Sequence, residues 1–268
     1  MSILEQIIEY KRSEVQRRKV ETSISKLEAS SYFNRKPLSL IASLRQGKRT
    51  GIIAEFKRRS PSKGVINEKA NVVDVTTAYS EKGASAVSVL TDENFFGGCN
   101  EDLIQARINE VPILRKDFVI DEYQIIEAKS IGADVILLIA ACLAPADVQR
   151  LSEFAKTVGL EVLLELYDEK EVAHICDGTE LIGINNRNLK TFEVHIEQSV
   201  KMAEKIPNGK IKIAESGIHS VDDVVLFREN GFKGFLIGEL FMKEPDPAIA
   251  FAEFVNALRI MPPKAEGF

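Results

Sequence analysis

The sequence predicts a protein of the α/β class, a (β/α)8 TIM barrel with an N-terminal helical extension. Three observations predict it. From Gly51 onward, eight apolar strand-like runs alternate with eight helical patterns at roughly even spacing. The strand runs are almost continuously apolar, as in Val135-Ile136-Leu137-Leu138-Ile139. That is the pattern of parallel strands covered on both faces. The chain has 268 residues, and such barrels commonly run to about 250. A doubly wound open sheet is the competing architecture. It usually has fewer strands, and no GxGxxG follows the first strand here.

The elements follow in order. Residues 3–20 place Ile3, Leu4, Ile7, Ile8 and Val15 at helical spacing among many charges. This predicts an amphipathic helix whose charges form a solvated face. Residues 23–31 and 38–46 read as two shorter helices. Residues 1–48 are too few for a core of their own. They read as a lid or packing extension, with a separate interaction arm as the competing reading. The barrel spans 49–260 and the tail 261–268 is expected to fray, so the chain reads as a single domain.

Strands are expected at 51–56, 85–90, 111–116, 133–139, 160–166, 181–185, 210–214 and 234–238. Helices are expected near 71–83, 100–109, 121–131, 145–158, 168–177, 196–206, 220–230 and 247–259. Asn71, Asn100, Asp121, Asp168 and Ser220 stand where N-caps belong. Gly83, Gly132, Gly159 and Gly231 stand where helices should stop.

Composition removes several function classes. The net charge is −5, so no global field favours nucleic acid. The Lys/Arg cluster at 57–63 is local and suits a small anion. No apolar run approaches the roughly 20 residues of a membrane span. The first residues lack the pattern of a signal peptide. Cys99, Cys142 and Cys176 are widely spaced without CxxC, which points to reduced thiols and a cytoplasmic location. His174, His195 and His219 show no HxH or HExxH spacing, so no metal is expected.

The chemistry gathers at the strand ends, where barrels of this kind build their sites. Glu55 and Lys57 flank the end of the first strand and, two residues apart, point the same way. Lys116 closes the third strand, Glu165 the fifth, Asn185 the sixth and Glu215 the seventh. If all project inward, two lysines and three carboxylates meet at one mouth. The bland reading makes each a paired charge in a polar barrel layer. Six such residues at five strand ends favour acid–base chemistry, with lysines donating to a developing oxyanion and shielded carboxylates accepting protons.

The last two units carry a different pattern. Glu215-Ser216-Gly217-Ile218 and Leu236-Ile237-Gly238-Glu239 put glycines at the ends of the seventh and eighth strands, with a short helix expected near Glu239. Backbone N–H groups of such loops bind phosphate. The loop after the second strand holds Phe95-Phe96 beside Gly97-Gly98. It suggests a mobile flap with an apolar face, and Phe118 can line the same pocket. Aromatics tucked under the helices are the alternative.

Taken together these motifs resemble one family, indole-3-glycerol-phosphate synthase. The resemblance rests on Ile53-Ala54-Glu55-Phe56-Lys57-Arg58-Arg59-Ser60-Pro61-Ser62, on Val89-Leu90-Thr91-Asp92 with Phe95-Phe96-Gly97-Gly98, and on Leu114-Arg115-Lys116-Asp117-Phe118. It continues through Gly183-Ile184-Asn185-Asn186-Arg187-Asn188-Leu189, Ala214-Glu215-Ser216-Gly217-Ile218, and Leu236-Ile237-Gly238-Glu239 with Met242. It covers essentially the whole chain.

The resemblance implies a lyase of tryptophan biosynthesis. Its substrate would be a phosphorylated small molecule, 1-(2-carboxyphenylamino)-1-deoxyribulose 5-phosphate, and it would need no cofactor. It implies that Lys116 is the general acid for ring closure, Glu165 the base for dehydration, and Lys57 the partner of the substrate carboxylate and a candidate second acid. It casts Glu55, Asn185 and Glu215 as orienting groups and Arg187 and Ser60 as binders of the anthranilate end. Ser216, Gly217, Gly238 and Glu239 would hold the phosphate, and Phe96 and Phe118 would pack the ring. A monomer is expected, with contact with other tryptophan-pathway enzymes left open.

The chain departs from the commoner family pattern at Gly97-Gly98-Cys99 and at Leu240-Phe241, and it has no tryptophan. Cys99 raises the prospect of an oxidation-sensitive flap. Two other readings stay open. A phosphoribosylanthranilate isomerase would share the phosphate site but need only one acid and one base. A non-catalytic paralogue would not need the full set of charges.

Overall fold

A computed structural model describes residues 2–188 and 193–260. The tail 261–268 and Leu189 of the sixth-strand motif lie outside the described residues. Eight parallel strands close into a barrel: β1 (Ile52–Phe56), β4 (Ala86–Leu90), β5 (Ile113–Lys116), β6 (Val135–Ile139), β7 (Glu161–Leu166), β8 (Leu181–Asn185), β9 (Ile211–Glu215) and β10 (Gly234–Ile237). β1 closes the ring by pairing with both β4 and β10. A small antiparallel pair, β2 (Arg59–Ser60) and β3 (Gly64–Val65), forms the loop after β1.

Strand alternation sorts the side chains into two layers. Ile52, Ala54 and Phe56 face outward into the shell between strands and helices. Ile53, Leu114, Leu137, Leu163, Leu181 and Ile213 face inward and fill the barrel axis. Leu40 and Leu44 of α3 (Leu40–Gln46) join this inner cluster and so pack against the barrel's interior. The barrel is therefore a packed core that opens only above its topmost inward layer.

The outer helices are α4 (Val72–Lys82), α6 (Asn100–Ala106), α7 (Glu122–Ser130), α8 (Pro145–Thr157), α9 (Ile196–Ala203), α10 (Val221–Glu229) and α12 (Pro247–Ile260), with short α5 (Glu93–Phe96) and α11 (Glu239–Met242) at the strand ends. Asn71, Asp121 and Ser220 cap their helices as expected, and Gly83 ends α4 at φ +108°. Two expectations need correction. Asn100 is the first residue of α6 and not its cap, because its side-chain oxygen accepts from Arg115. The segment expected as a helix over 168–177 is a 3₁₀ turn, Glu169–His174, opened by an Asp168 capping box. The 3₁₀ form rises about 2.0 Å per residue against 1.5 Å for the α form, so a short crossover spans more length.

The N-terminal extension begins with α1 (Ile3–Glu21) and α2 (Ile24–Glu28). Val15 and Leu27 pack on Tyr123 and Ile126 of α7. The Tyr123 hydroxyl donates to the carbonyls of Arg18 and Thr22, at 2.9 and 3.0 Å. The expected solvated charges of α1 are partly wrong. Lys11 and Glu14 are buried, and Arg18 bonds Glu127 of α7. A surface helix keeps its charges in water, whereas α1 lies against a barrel that offers fixed counter-charges. Among the described residues no helix is long and apolar enough to cross a membrane.

Candidate active site

The site grows from the same alternation that fills the core. Two residues beyond inward Ile53, Leu114, Leu163, Leu181 and Ile213, the next inward positions are Glu55, Lys116, Glu165, Gly183 and Glu215. Register aligns them: Glu165 is level with Gly183, and Asn185 with Glu215. Polar groups thus form a layer directly above the apolar plug.

Lys116 sits at the centre of this layer. Its Nζ lies 3.1 Å from Glu165 Oε2 and 3.7 Å from Glu215 Oε2. Asn185 Nδ2 donates to Glu165 Oε1 at 2.8 Å, fixing the other side of that carboxylate. Lys57 Nζ reaches Glu55 Oε1 at 2.5 Å. Glu55, Glu165 and Glu215 are all buried.

Burial and neighbours set the protonation states. Burial opposes the Lys116 charge, but the carboxylates of Glu165, Glu215 and Glu55 outweigh it and hold its pKa above the ordinary lysine value. Glu215 goes the other way. Burial first, then the adjacent Glu165 charge, push its carboxyl up to about 8, against the opposing pull of Lys116. Its Oε1 is buried without a hydrogen-bond partner among the described residues. At neutral pH the layer therefore sets a charged ammonium, Lys116, beside a neutral acid, Glu215.

Two glycines make room for the carboxylates. A Cβ on Gly183 would overlap Glu215 Oε1, and one on Gly238 would stand 2.6 Å from Glu55 Oε1. On the β9 side, Ser216 and Gly217 both adopt left-handed backbone, at φ 64° and 67°. Asn186 Nδ2 donates to the Ser216 carbonyl at 2.6 Å and pins this turn. Gly238 leads directly into α11 at Glu239. Glu215 pairs with Leu236, so the two loops lie side by side.

Across the mouth stand Phe96 and Phe118, with ring centroids 6.0 Å apart. The segment expected as a mobile flap is a turn of helix, α5, whose amides at Phe95 and Phe96 are capped by Asp92. Burial and the adjacent Asp102 push the Cys99 thiol pKa up, which disfavours the reactive thiolate. Arg58 of the basic cluster is committed to Asp102, and Arg59 donates to carbonyls of Glu93 and Asn94. Lys57 and Ser60 face the cavity, as does Arg187, whose guanidinium lies 3.5 Å from Glu239. All the site residues expected from the sequence line one cavity: Glu55, Lys57, Ser60, Phe96, Lys116, Phe118, Glu165, Asn185, Arg187, Glu215, Ser216, Gly217, Gly238 and Glu239. Among the described residues no group of three His, Cys, Asp or Glu side chains is placed to hold a metal ion.

The model of the family described as indole-3-glycerol phosphate synthase matches residues 4–254. The chain belongs to the indole-3-glycerol phosphate synthase family. Curated relatives carrying that name agree over nearly full length. The protein of Bacteroides thetaiotaomicron is 46% identical over 264 residues, covering 96% of this chain and 99% of the relative. That of Albidiferax ferrireducens is 42% identical over 256 residues, covering 94% and 97%. That of Bordetella pertussis is 47% identical over 212 residues, covering 78% and 80%. The family match sets aside the isomerase as the chain's family.

Three features of this indole-3-glycerol phosphate synthase family member escaped the sequence reading. Ile3, Leu4 and Ile7 of α1 line the same cavity, so the extension forms part of its wall. Their helical spacing was visible, but not which surface they meet. Asn186 lacked a signal separating it from Asn185; only the turn at Ser216 explains it. Lys11 looked like an ordinary surface cation, and nothing in its local sequence marks it as buried.

Proposed function

We propose that this chain carries out the indole-3-glycerol phosphate synthase reaction. It converts 1-(2-carboxyphenylamino)-1-deoxyribulose 5-phosphate into indole-3-glycerol phosphate, carbon dioxide and water. The observation that carries the residue roles is the placement of Lys116, 3.1 Å from Glu165, within the cavity that Phe96 and Phe118 line together with the Ser216-Gly217 and Gly238-Glu239 loops.

In this reading the aromatic ring of the substrate lies against Phe96 and Phe118, and its phosphate lies at the two glycine loops. The ring carbon bearing the carboxylate attacks the ketone carbon. Lys116, held protonated by its carboxylate neighbours, gives its proton to the ketone oxygen as the bond forms. The carbon–carboxylate bond then breaks. Its electron pair returns to the ring, and carbon dioxide leaves. The new hydroxyl departs as water after taking a proton from Lys57. Glu165 removes the proton from the carbon beside the ring nitrogen, which completes the indole.

Until carbon dioxide leaves, Lys57 holds the substrate carboxylate, and Glu55 holds Lys57 at 2.5 Å. Asn185 keeps Glu165 turned toward Lys116. Glu215, which lines the cavity and holds its proton, orients the substrate's sugar hydroxyls. Ser60 and Arg187 border the cavity where the substrate's polar groups would pass.

The barrel and its extension act together as one monomeric unit. Among the described residues, exposed large apolar side chains such as Val20, Val65 and Ile108 come from separate segments of the chain. The three free cysteines suit a reducing cytoplasm. Incubating the purified protein with the substrate, without added cofactor, tests the assignment. Indole absorbance rising with carbon dioxide release is the expected result. Binding without product would leave a paralogue that kept the pocket and lost the chemistry.

A further inference from the structure

Lys11 is 1% exposed and carries a charge that the reaction as written does not use. Its Nζ lies 2.5 Å from Glu14 Oε2, 2.9 Å from Asp92 Oδ2 and 2.9 Å from Asp117 Oδ1. The two barrel carboxylates each have a second task. Asp92 Oδ1 caps the turn carrying Phe96, accepting from the amides of Phe95 at 2.7 Å and Phe96 at 3.2 Å. Asp117 follows Lys116 directly; its Oδ1 accepts from the Phe118 amide at 2.8 Å and its Oδ2 from the Thr91 hydroxyl at 2.7 Å.

One ammonium on α1 therefore clamps together the two carboxylates that fix Phe96 and Phe118. A nearly unexposed cation between two unexposed carboxylates has steep geometry, because each of the three is costly to bury unpaired. Glu14 in turn bonds Arg18, and Arg18 bonds Glu127, which also takes Arg115. The clamp is thus braced against α7.

We propose that Lys11 is a positioning residue for the aromatic end of the site. It sets the spacing of Phe96 and Phe118, and with it the seat of the substrate ring. This rests on the reading that the ring lies against those two phenylalanines. The helical extension then does more than cover the barrel; it supplies the cation that registers one side of the pocket.

The test compares Lys11→Met, Lys11→Arg and Asp92→Asn on preparations shown to be folded by circular dichroism. Phe118→Ala is run first: if it leaves KM unchanged, the ring reading fails, and the fault does not lie with Lys11. Given a raised KM there, Lys11→Met is expected to raise KM for the carboxyphenylamino substrate about tenfold or more, since displacements near 1 Å at a site can cost about 100-fold. The inhibition constant of inorganic phosphate should stay at the wild-type value, because the clamp touches only the ring side. Lys11→Arg should recover most of the lost affinity. Asp92→Asn keeps the cap acceptor and removes the charge that Lys11 grips, so it should move KM in the same direction, and it serves where Lys11→Met does not fold. Wild-type KM in a folded Lys11→Met or Asp92→Asn protein would overturn the proposal. An equal loss of phosphate affinity would also overturn it, by showing general damage.

Discussion

Gly183 on β8 leaves the space that the Glu215 carboxylate on β9 fills; a Cβ at Gly183 would overlap Glu215 Oε1. The two residues lie on adjacent strands, and the backbone of one shapes the acid of the other. Gly183→Ala should therefore displace Glu215 with little effect on the rest of the barrel. We expect kcat/KM to fall at least about tenfold, as for other small misplacements in an active site. Circular dichroism should show the fold retained. Unchanged steady-state kinetics would show that Glu215 is free to move.

Lys116→Ala removes the proposed acid and leaves Glu165 and Glu215 facing each other without their cation. Loss of a general acid costs about 10²–10⁴-fold in rate. The expected result is a kcat loss at the upper end of that range in a folded protein. Near-normal indole formation would remove Lys116 from the role.

Glu215 carries a pH signature. Its carboxyl, ordinarily near 4.5, is raised to about 8 in the folded chain by burial and by Glu165. The folded state thus holds a proton there that the unfolded state gives up between pH 4.5 and about 8. The contribution of this group to stability declines as pH rises through that window. Urea midpoints measured at pH 5, 6.5 and 8 should show the decline, and Glu215→Gln should flatten it. An identical slope in the variant would place the titration elsewhere.

The buried cluster around Lys11 behaves oppositely at the extremes. Burial works against its charge, but Asp117, Asp92 and Glu14 together hold the Lys11 pKa above the ordinary 10.5. That stabilisation is complete below 10.5 and is lost as pH climbs through the raised value. Asp117, buried but facing Lys11 and Arg115, is held below the ordinary 3.8. Its stabilisation is present above 3.8 and is lost as pH falls through the depressed value. Removing one partner of such a buried pair costs about 3–5 kcal/mol. Lys11→Met should therefore lower the unfolding free energy by about that amount at pH 7, measured by denaturant titration.

Phosphate should compete with substrate at the loops after β9 and β10, where Ser216 and Gly217 hold left-handed backbone. Competitive inhibition by inorganic phosphate in steady-state kinetics is the expected outcome. Gly217→Val should weaken it, since a side chain there would meet Val194. Inhibition that is absent at high phosphate would move the phosphate end elsewhere.

Much of this protein follows from sequence alone. Period-two alternation, with apolar Leu163 two residues before Glu165 and Ile213 two before Glu215, already places both carboxylates on the inner face of their strands. Eight such runs dictate a closed parallel barrel, and the strand-end motifs dictate the residues at its mouth. Local patterns carry this information because strand geometry is itself local. Tertiary structure alone decided what lies across the molecule from those patterns. It set Lys116 between Glu165 and Glu215, committed Arg58 to Asp102, and drew Lys11 and Glu14 out of water. A lysine on an amphipathic helix has the same local sequence whether it meets solvent or Asp92 and Asp117. Only the packing of α1 against the barrel lowers the dielectric around it and supplies the counter-charges that hold it there.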